Sequence, residues 1–340
     1  MRHADLLRTF AIAACALCLF VVVLGAYVRL SDAGLGCPDW PGCYGHFTPA
    51  GAAADAGATV HAARPLELGK AWREMVHRYA AGTVGLLIVC LTAMAVVWQR
   101  ERIVPVTLLA ALLGIVVLQG TLGMLTVTWQ LTPLIVTLHL LFGLTTLSVL
   151  WWLVLSLWRR RSGAWDVHGT PRGVGGDSHG ARALTLVGLL ALAAQITLGG
   201  WTSSNYAALA CPDLPTCQGH WWPQADFHAG FVLWRGASTN FDGGVLASPA
   251  RIAIQLSHRI GALVTSALLL AAALATLRLR RALAARQAAV VVLVMLATQL
   301  TIGIAMVLRG FPLWLATAHN AGAALLLLAA LSLNRALRLA

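Results

Sequence analysis

Glu74-Met75-Val76-His77-Arg78 stands where a polar loop gives way to a long apolar run. On a helix, Glu74 and His77 share a face, three positions apart. Both lie at the mouth of an expected membrane span, where an ionisable group is costly and needs a partner or a purpose. Gln255-Leu256-Ser257-His258-Arg259 repeats the arrangement later in the chain, with an amide in place of the carboxylate.

The surrounding composition sets the class. Of 340 residues, 59% are hydrophobic and only 11% charged, and the mean hydropathy is +0.77. That describes a polytopic all-α membrane protein. Eight stretches are long and apolar enough to span: 6–28, 75–98, 104–127, 133–158, 183–204, 254–277, 288–308 and 312–333.

The net charge of +12 is distributed by side. With the N-terminus inside, cytoplasmic segments hold 15 of the 24 basic residues and 4 of the 12 acidic ones, against 9 and 8 outside. This positive-inside pattern places both termini in the cytoplasm. The Arg159-Arg160-Arg161 and Arg278/Arg280/Arg281 clusters are therefore orientation signals and anionic-lipid contacts, and nucleic acid is excluded as a partner. The first span follows Arg2 and Arg8, has no small-residue cleavage site, and reads as an uncleaved anchor in a bacterial inner membrane.

The chain repeats itself. Cys37-Pro38-Asp39-Trp40-Pro41-Gly42-Cys43 returns 174 residues later as Cys211-Pro212-Asp213-Leu214-Pro215-Thr216-Cys217, with Gly25 on Gly199 and His46 on His220. The offset then becomes 180–181, mapping His77-Arg78 onto His258-Arg259, Gln119 onto Gln299, Gly123 onto Gly303 and His139 onto His319. Four spans return the chain to the same side, so the expectation is two tandem, pseudo-symmetric four-helix bundles in parallel orientation. These are an N-terminal half at 1–158, a Gly-rich basic linker at 159–182, and a C-terminal half at 183–340. Tryptophans near span ends, among them Trp72, Trp98, Trp129, Trp158, Trp201 and Trp314, read as an interfacial belt.

Four histidines carry the chemical signal. His77 and His258 begin even-numbered spans, and His139 and His319 sit at similar depth in the next even-numbered ones. Two imidazoles across a four-helix bundle form a natural axial pair for haem iron, whereas zinc wants four donors and neither pair has a third or fourth. Arg78 and Arg259 read as snorkelling anchors or as partners for haem propionates at the outer surface. Glu74 against Gln255 is the informative asymmetry. A carboxylate accepts or delivers a proton or stabilises a developing cation, and an amide cannot titrate, so the chemistry belongs to the first half.

Each external cysteine pair admits an intra-loop disulfide, Cys37–Cys43 and Cys211–Cys217, metal ligation with His46 or His220, or free thiols. Cys15, Cys18 and Cys90 lie inside spans and read as small packing residues. Gly120, Gly123, Gly199 and Gly200 read as close helix packing or as room for a flat ligand. His3, His61, His168, His179 and His228 lie in loops or the tail.

Gly25-Ala26-Tyr27-Val28-Arg29-Leu30-Ser31, the Cys37–Cys43 loop, Glu74 to Arg78, His139, His258-Arg259 and His319, in this order on eight spans, resemble the haem A synthase family in its bacterial form. The resemblance implies oxidation of the C8 methyl of haem O to a formyl group through hydroxylated haem I, giving haem A for terminal oxidases. It implies that His77 and His139 flank the substrate or product haem, that His258 and His319 ligate haem b, that Glu74 is the acid/base or cation-stabilising carboxylate, and that Cys37–Cys43 is the disulfide of the N-terminal loop. The partners that follow are haem O, the bilayer, an electron donor that the sequence does not identify, and two further candidates, haem O synthase and a second copy of the chain. A quinone-linked di-haem b electron carrier explains the four histidines equally well, but gives no reason for Glu74 in one half only. A thiol–disulfide oxidoreductase leaves the intramembrane histidines without a task, and a transporter would place its ionisable groups nearer the midplane.

Overall fold

The computed structural model describes residues 3–55, 64–101, 103–161, 177–236, 239–279 and 282–339. His61, His168, Arg280, Arg281 and most of the expected linker lie outside the described residues. Eight long helices carry the fold: α1 (His3–Leu30), α2 (Leu68–Val97), α3 (Val106–Thr128), α4 (Pro133–Arg161), α5 (Asp177–Ser204), α6 (Ser248–Leu277), α7 (Leu283–Leu308) and α8 (Leu313–Leu339). All eight contain a stretch long and apolar enough to cross a membrane. Leu86, Val117, Leu190 and Leu263 are among many large apolar side chains facing outward. A soluble helix would keep a polar stripe there, whereas a lipid-facing one need not. The chain is an all-α, multi-pass membrane protein.

Helix boundaries run past the apolar boundaries. The second apolar stretch begins at 75, but α2 begins at Leu68, so Glu74 and His77 sit in its second and third turns rather than at its first residue. α6 likewise begins at Ser248, with Pro249 in its first turn, where a missing N–H is harmless. A helix that extends into a polar layer continues its own hydrogen-bond ladder, and hydropathy does not register that turn. The expected linker is shortened in the same way, since α4 continues to Arg161 and α5 starts at Asp177. His3, read as a tail residue, belongs to α1, where its ring stacks on Trp98 at 4.2 Å and Nδ1 lies 2.5 Å from Glu101 Oε1.

The helices group into two compact units. One comprises Met1–Trp158 with Leu233–Val245, the other Arg159–Val232 with Leu246–Ala340. In the first, α2 packs on α1 and α3, α3 meets α4 through Gln119 and His139, and Arg8 of α1 lies over the Trp158 ring of α4. In the second, α6 packs on α5 and α7, and α8 packs on α5 and α7.

The segment Leu233–Val245 follows α5 in the chain yet belongs to the first unit. Phe241 is 2% exposed and its amide donates to the Gln130 carbonyl at 3.1 Å. Trp234 meets Trp129 edge-on, and Asp242 accepts from Arg64 at 2.8 Å. Removing the Phe241 ring leaves a cavity in that unit, so Phe241→Ala is expected to cost about 3 kcal/mol. Thermal unfolding in detergent checks this, and an unchanged transition would show that the segment does not hold the unit.

Candidate functional site

Each of the four intramembrane histidines presses its ring against a glycine of a neighbouring helix. A Cβ added to Gly25 would lie 2.8 Å from His77 Cε1, and one on Gly123 3.1 Å from His139 Cε1. The same construction on Gly199 and Gly303 gives 3.3 Å to His258 and 3.0 Å to His319. These glycines are there for the close approach of a flat ring, which any side chain would push away. His77 and His139 are near enough to sense each other's charge, and so are His258 and His319. Nδ1 of His77, His139 and His319 is buried with no hydrogen-bond partner among the described residues.

Over the histidines sit two loops of the same construction. Cys37–Cys43 and Cys211–Cys217 are disulfides, so neither pair is free for a metal with His46 or His220. Tyr44-Gly45 and Gln218-Gly219 have positive φ and turn the chain back, closed by paired backbone bonds between Cys43 and His46 and between Cys217 and His220. Positive φ at both central residues is the two-residue hairpin geometry that favours glycine. Asp39 accepts the amides of Tyr44 at 2.6 Å and Gly45 at 2.9 Å. Asp213 accepts those of Gln218 at 2.6 Å and Gly219 at 3.0 Å, and also the Thr216 hydroxyl. That hydroxyl and the Gly219 amide hold the Asp213 carboxyl down to about 2. The first disulfide packs among Tyr44, Ala71 and Met75, and the second against Ile252 and Leu256. All four cysteines are buried, so exchange with a partner thiol would require lifting the loop.

The arginines following the mouth histidines hold these loops down. Arg78 Nη1 donates to the carbonyls of Asp39 at 2.9 Å and Gly42 at 2.6 Å, and Nη2 meets Glu74 Oε1 at 2.5 Å. Arg259 donates to the carbonyls of Thr216 at 2.8 Å, Cys211 at 2.9 Å and Asp213 at 2.9 Å. The sequence leaves a snorkelling anchor and a propionate partner open for these arginines; in the structure the Nη groups of both donate to loop carbonyls. Arg259 keeps a buried Nε–H without a partner among the described residues.

Glu74 is 4% exposed, with both oxygens engaged. Oε1 pairs with Arg78, and Oε2 accepts the Cys37 amide at 2.9 Å. Gly36 makes this seat accessible, because a Cβ there would lie 2.7 Å from the Lys70 backbone. The equivalent Gln255 is equally buried, but its Oε1 finds no partner among the described residues. The carboxylate is thus tied to the disulfide loop and to an arginine in one unit only.

A family model described as cytochrome oxidase assembly protein (COX15-CtaA) matches residues 8–331. The chain belongs to this family. Among curated members of like sequence, the Heme A synthase of Shewanella oneidensis is 40% identical over 93% of this chain and 92% of its own length. The Heme A synthases of Caulobacter vibrioides and Nitrosospira multiformis are 30% and 27% identical, over 90% and 95% of this chain and 89% and 91% of their own lengths.

For a member of the cytochrome oxidase assembly family, haem is the group to test against these residues. Each unit offers two mutually close imidazoles, three of the four with an unpartnered buried nitrogen, against backbones cleared by glycine. That donor set fits the two axial positions of a haem iron. Among the described residues no three His, Cys, Asp or Glu side chains gather, so a tetrahedral ion is not served. Sequence reasoning missed Gln195 and the ring-cradling task of the glycines; the recurring spacing Gln119…Gly123, Gln195…Gly199, Gln299…Gly303 is the signal that carries both.

Glu74→Ala removes the acceptor of the Cys37 amide and the anion beside Arg78. Hydrogen exchange at Cys37 is expected to speed up by at least about tenfold, the worth of a charge-assisted hydrogen bond. Exchange at Cys211 should not change, and equal acceleration in both loops would show that Glu74 does not hold its own loop.

Proposed function

We propose that this protein is a haem A synthase, oxidising the C8 methyl of haem O to a formyl group by way of the alcohol, haem I. Each of two hydroxylations breaks a C–H bond of that methyl and forms C–OH, with molecular oxygen as the oxidant: one oxygen atom enters the product, the other leaves as water, and an external donor supplies two electrons together with two protons from solvent. Loss of water from the resulting hydrated aldehyde leaves the formyl group. The observation that carries the reading is the Glu74 network beside His77, present in one unit and replaced by Gln255 in the other. The curated Heme A synthases matched along nearly the whole chain support it.

In this reading the N-terminal half handles substrate. His77 and His139 hold haem O, and the glycines behind them set how far the imidazoles stand back from it. Arg78 pairs with Glu74 and fixes it in place. The carboxylate then provides negative charge, or a proton acceptor at Oε1 or Oε2, beside the carbon that becomes electron-poor. The disulfide loop, clamped by Arg78 over this end of the helices, limits water there. In the C-terminal half, His258 and His319 would hold haem b, which supplies one-electron transfer when bound. The buried Nε–H of Arg259 is the donor available to a propionate in that half.

Charge placement supports a bacterial inner-membrane location with both termini cytoplasmic and the cysteine loops periplasmic.

Chromatography of acid-acetone-extracted haems tests the proposal on protein made in cells that also produce haem O. Haem b together with haem I or haem A is the expected result; haem b alone would return the chain to electron transfer without haem modification. Glu74→Gln is expected to abolish conversion while leaving haem b bound, and full activity would take Glu74 out of the mechanism. His258→Ala or His319→Ala is expected to deplete haem b more than His77→Ala does. Equal depletion by all would end the division of labour between halves.

A further inference from the structure

Gln119, Gln195 and Gln299 stand in the same relation to three of the four histidines. Their Nε2 groups donate to the backbone carbonyls of His139 at 2.9 Å, His258 at 2.9 Å and His319 at 3.0 Å. The same amide nitrogens lie 3.5 Å from His139 Nε2, 3.3 Å from His319 Nε2 and 3.0 Å from His258 Nδ1, so the contact common to all three is the one to the histidine's backbone carbonyl. Each glutamine is four residues before the glycine that cradles the ring, so one helix face presents both an amide and bare backbone to one imidazole. The other helix must make room for the amide. A Cβ on Gly261 would lie 2.3 Å from Gln195 Oε1, one on Gly322 2.2 Å from Gln299 Oε1, and one on Gly143 3.2 Å from Gln119 Nε2. The clamp is therefore two-sided, a glutamine on one helix and a glycine three or four residues after the histidine on the other.

His77 has neither side. Val21 stands four residues before Gly25, and Ala80 stands three after His77, where Gly261 follows His258. What is missing at His77 is the side-chain amide and the space for it.

A resident cofactor never has to leave, whereas a substrate must leave once per turnover. We propose that Gln119, Gln195 and Gln299 are positioning residues that lock His139, His258 and His319, and that His77, left unlocked, is the ligand that lets the substrate haem go. This rests on the assignment of haem O to the His77/His139 pair. The locked pair His258/His319 is then the permanent one, and the substrate haem is hinged on His139.

The converse construction tests it. Val21→Gln with Ala80→Gly installs both sides of the missing clamp, and Gln119→Val removes the existing one. Full-length protein in detergent is loaded with haem O, and transfer to excess apomyoglobin is followed by absorbance, with haem b content reporting the intact fold. The double variant is expected to release haem O about tenfold more slowly and Gln119→Val about tenfold faster, the worth of the one hydrogen bond that fixes the histidine's backbone on the neighbouring helix. The low-spin EPR signal of haem O should sharpen in the double variant, a change that packing alone would not produce. An unchanged release rate in the double variant with haem b intact overturns the inference. If that variant loses haem b, Gln119→Val decides alone, and an unchanged rate there overturns it equally. Wild type that takes up haem b but no haem O would instead remove the functional reading, and the inference with it.

Discussion

A flat, polar ring inside an apolar helix bundle must be given room by backbone, because a side chain beside it would hold it off. His77, His139, His258 and His319 each meet that constraint with a glycine on the adjacent helix: Gly25, Gly123, Gly199 and Gly303. The close approach of the paired helices at each ring follows from it. Hydrocarbon offers no water to satisfy what remains, so the glutamine amides near three of the rings and the unpartnered nitrogens on three of them are the consequential polar groups of the structure.

Above the rings, the two units solve one problem with different charge. Each must seat a hairpin loop, stapled by a disulfide, on the end of a helix. In both, an arginine directly after the mouth histidine collects the loop's carbonyls. The first unit adds a carboxylate that binds both that arginine and the loop's Cys37 amide. The second has an amide whose oxygen stays unpaired among the described residues. Structural need does not distinguish the units, since the second loop seats without a carboxylate. A buried carboxylate in only one of two otherwise equivalent places calls for a task beyond holding the loop.

Much of this was legible along the chain. Hydropathy located eight spans, because apolar length is a property of consecutive residues. Fixed offsets exposed the repeat, the four histidines and the exchange of Glu74 for Gln255. The helices α2 and α6 begin several residues before their apolar stretches, since a helix continues beyond the apolar layer on its own hydrogen bonds. Arg78 and Arg259 were legible as important but not as loop clamps, because the acceptors are main-chain carbonyls about forty residues away. The membership of Phe241 and Asp242 in the first unit had no signal in hydropathy or spacing.

The sequence by itself determined the class, the spans, the duplicated histidines and which half carries a carboxylate. These depend on composition and on residue identity at fixed offsets. Only the tertiary structure decided that Glu74 is shared between Arg78 and the Cys37 amide, that glycines cradle the rings, and that Val21 and Ala80 leave His77 outside the clamp which holds the other three. Each of these is a meeting of residues from separate segments at hydrogen-bond or van der Waals range. Such a meeting is set by how two helices, or a loop and a helix, approach, and approach is a property of the packed bundle.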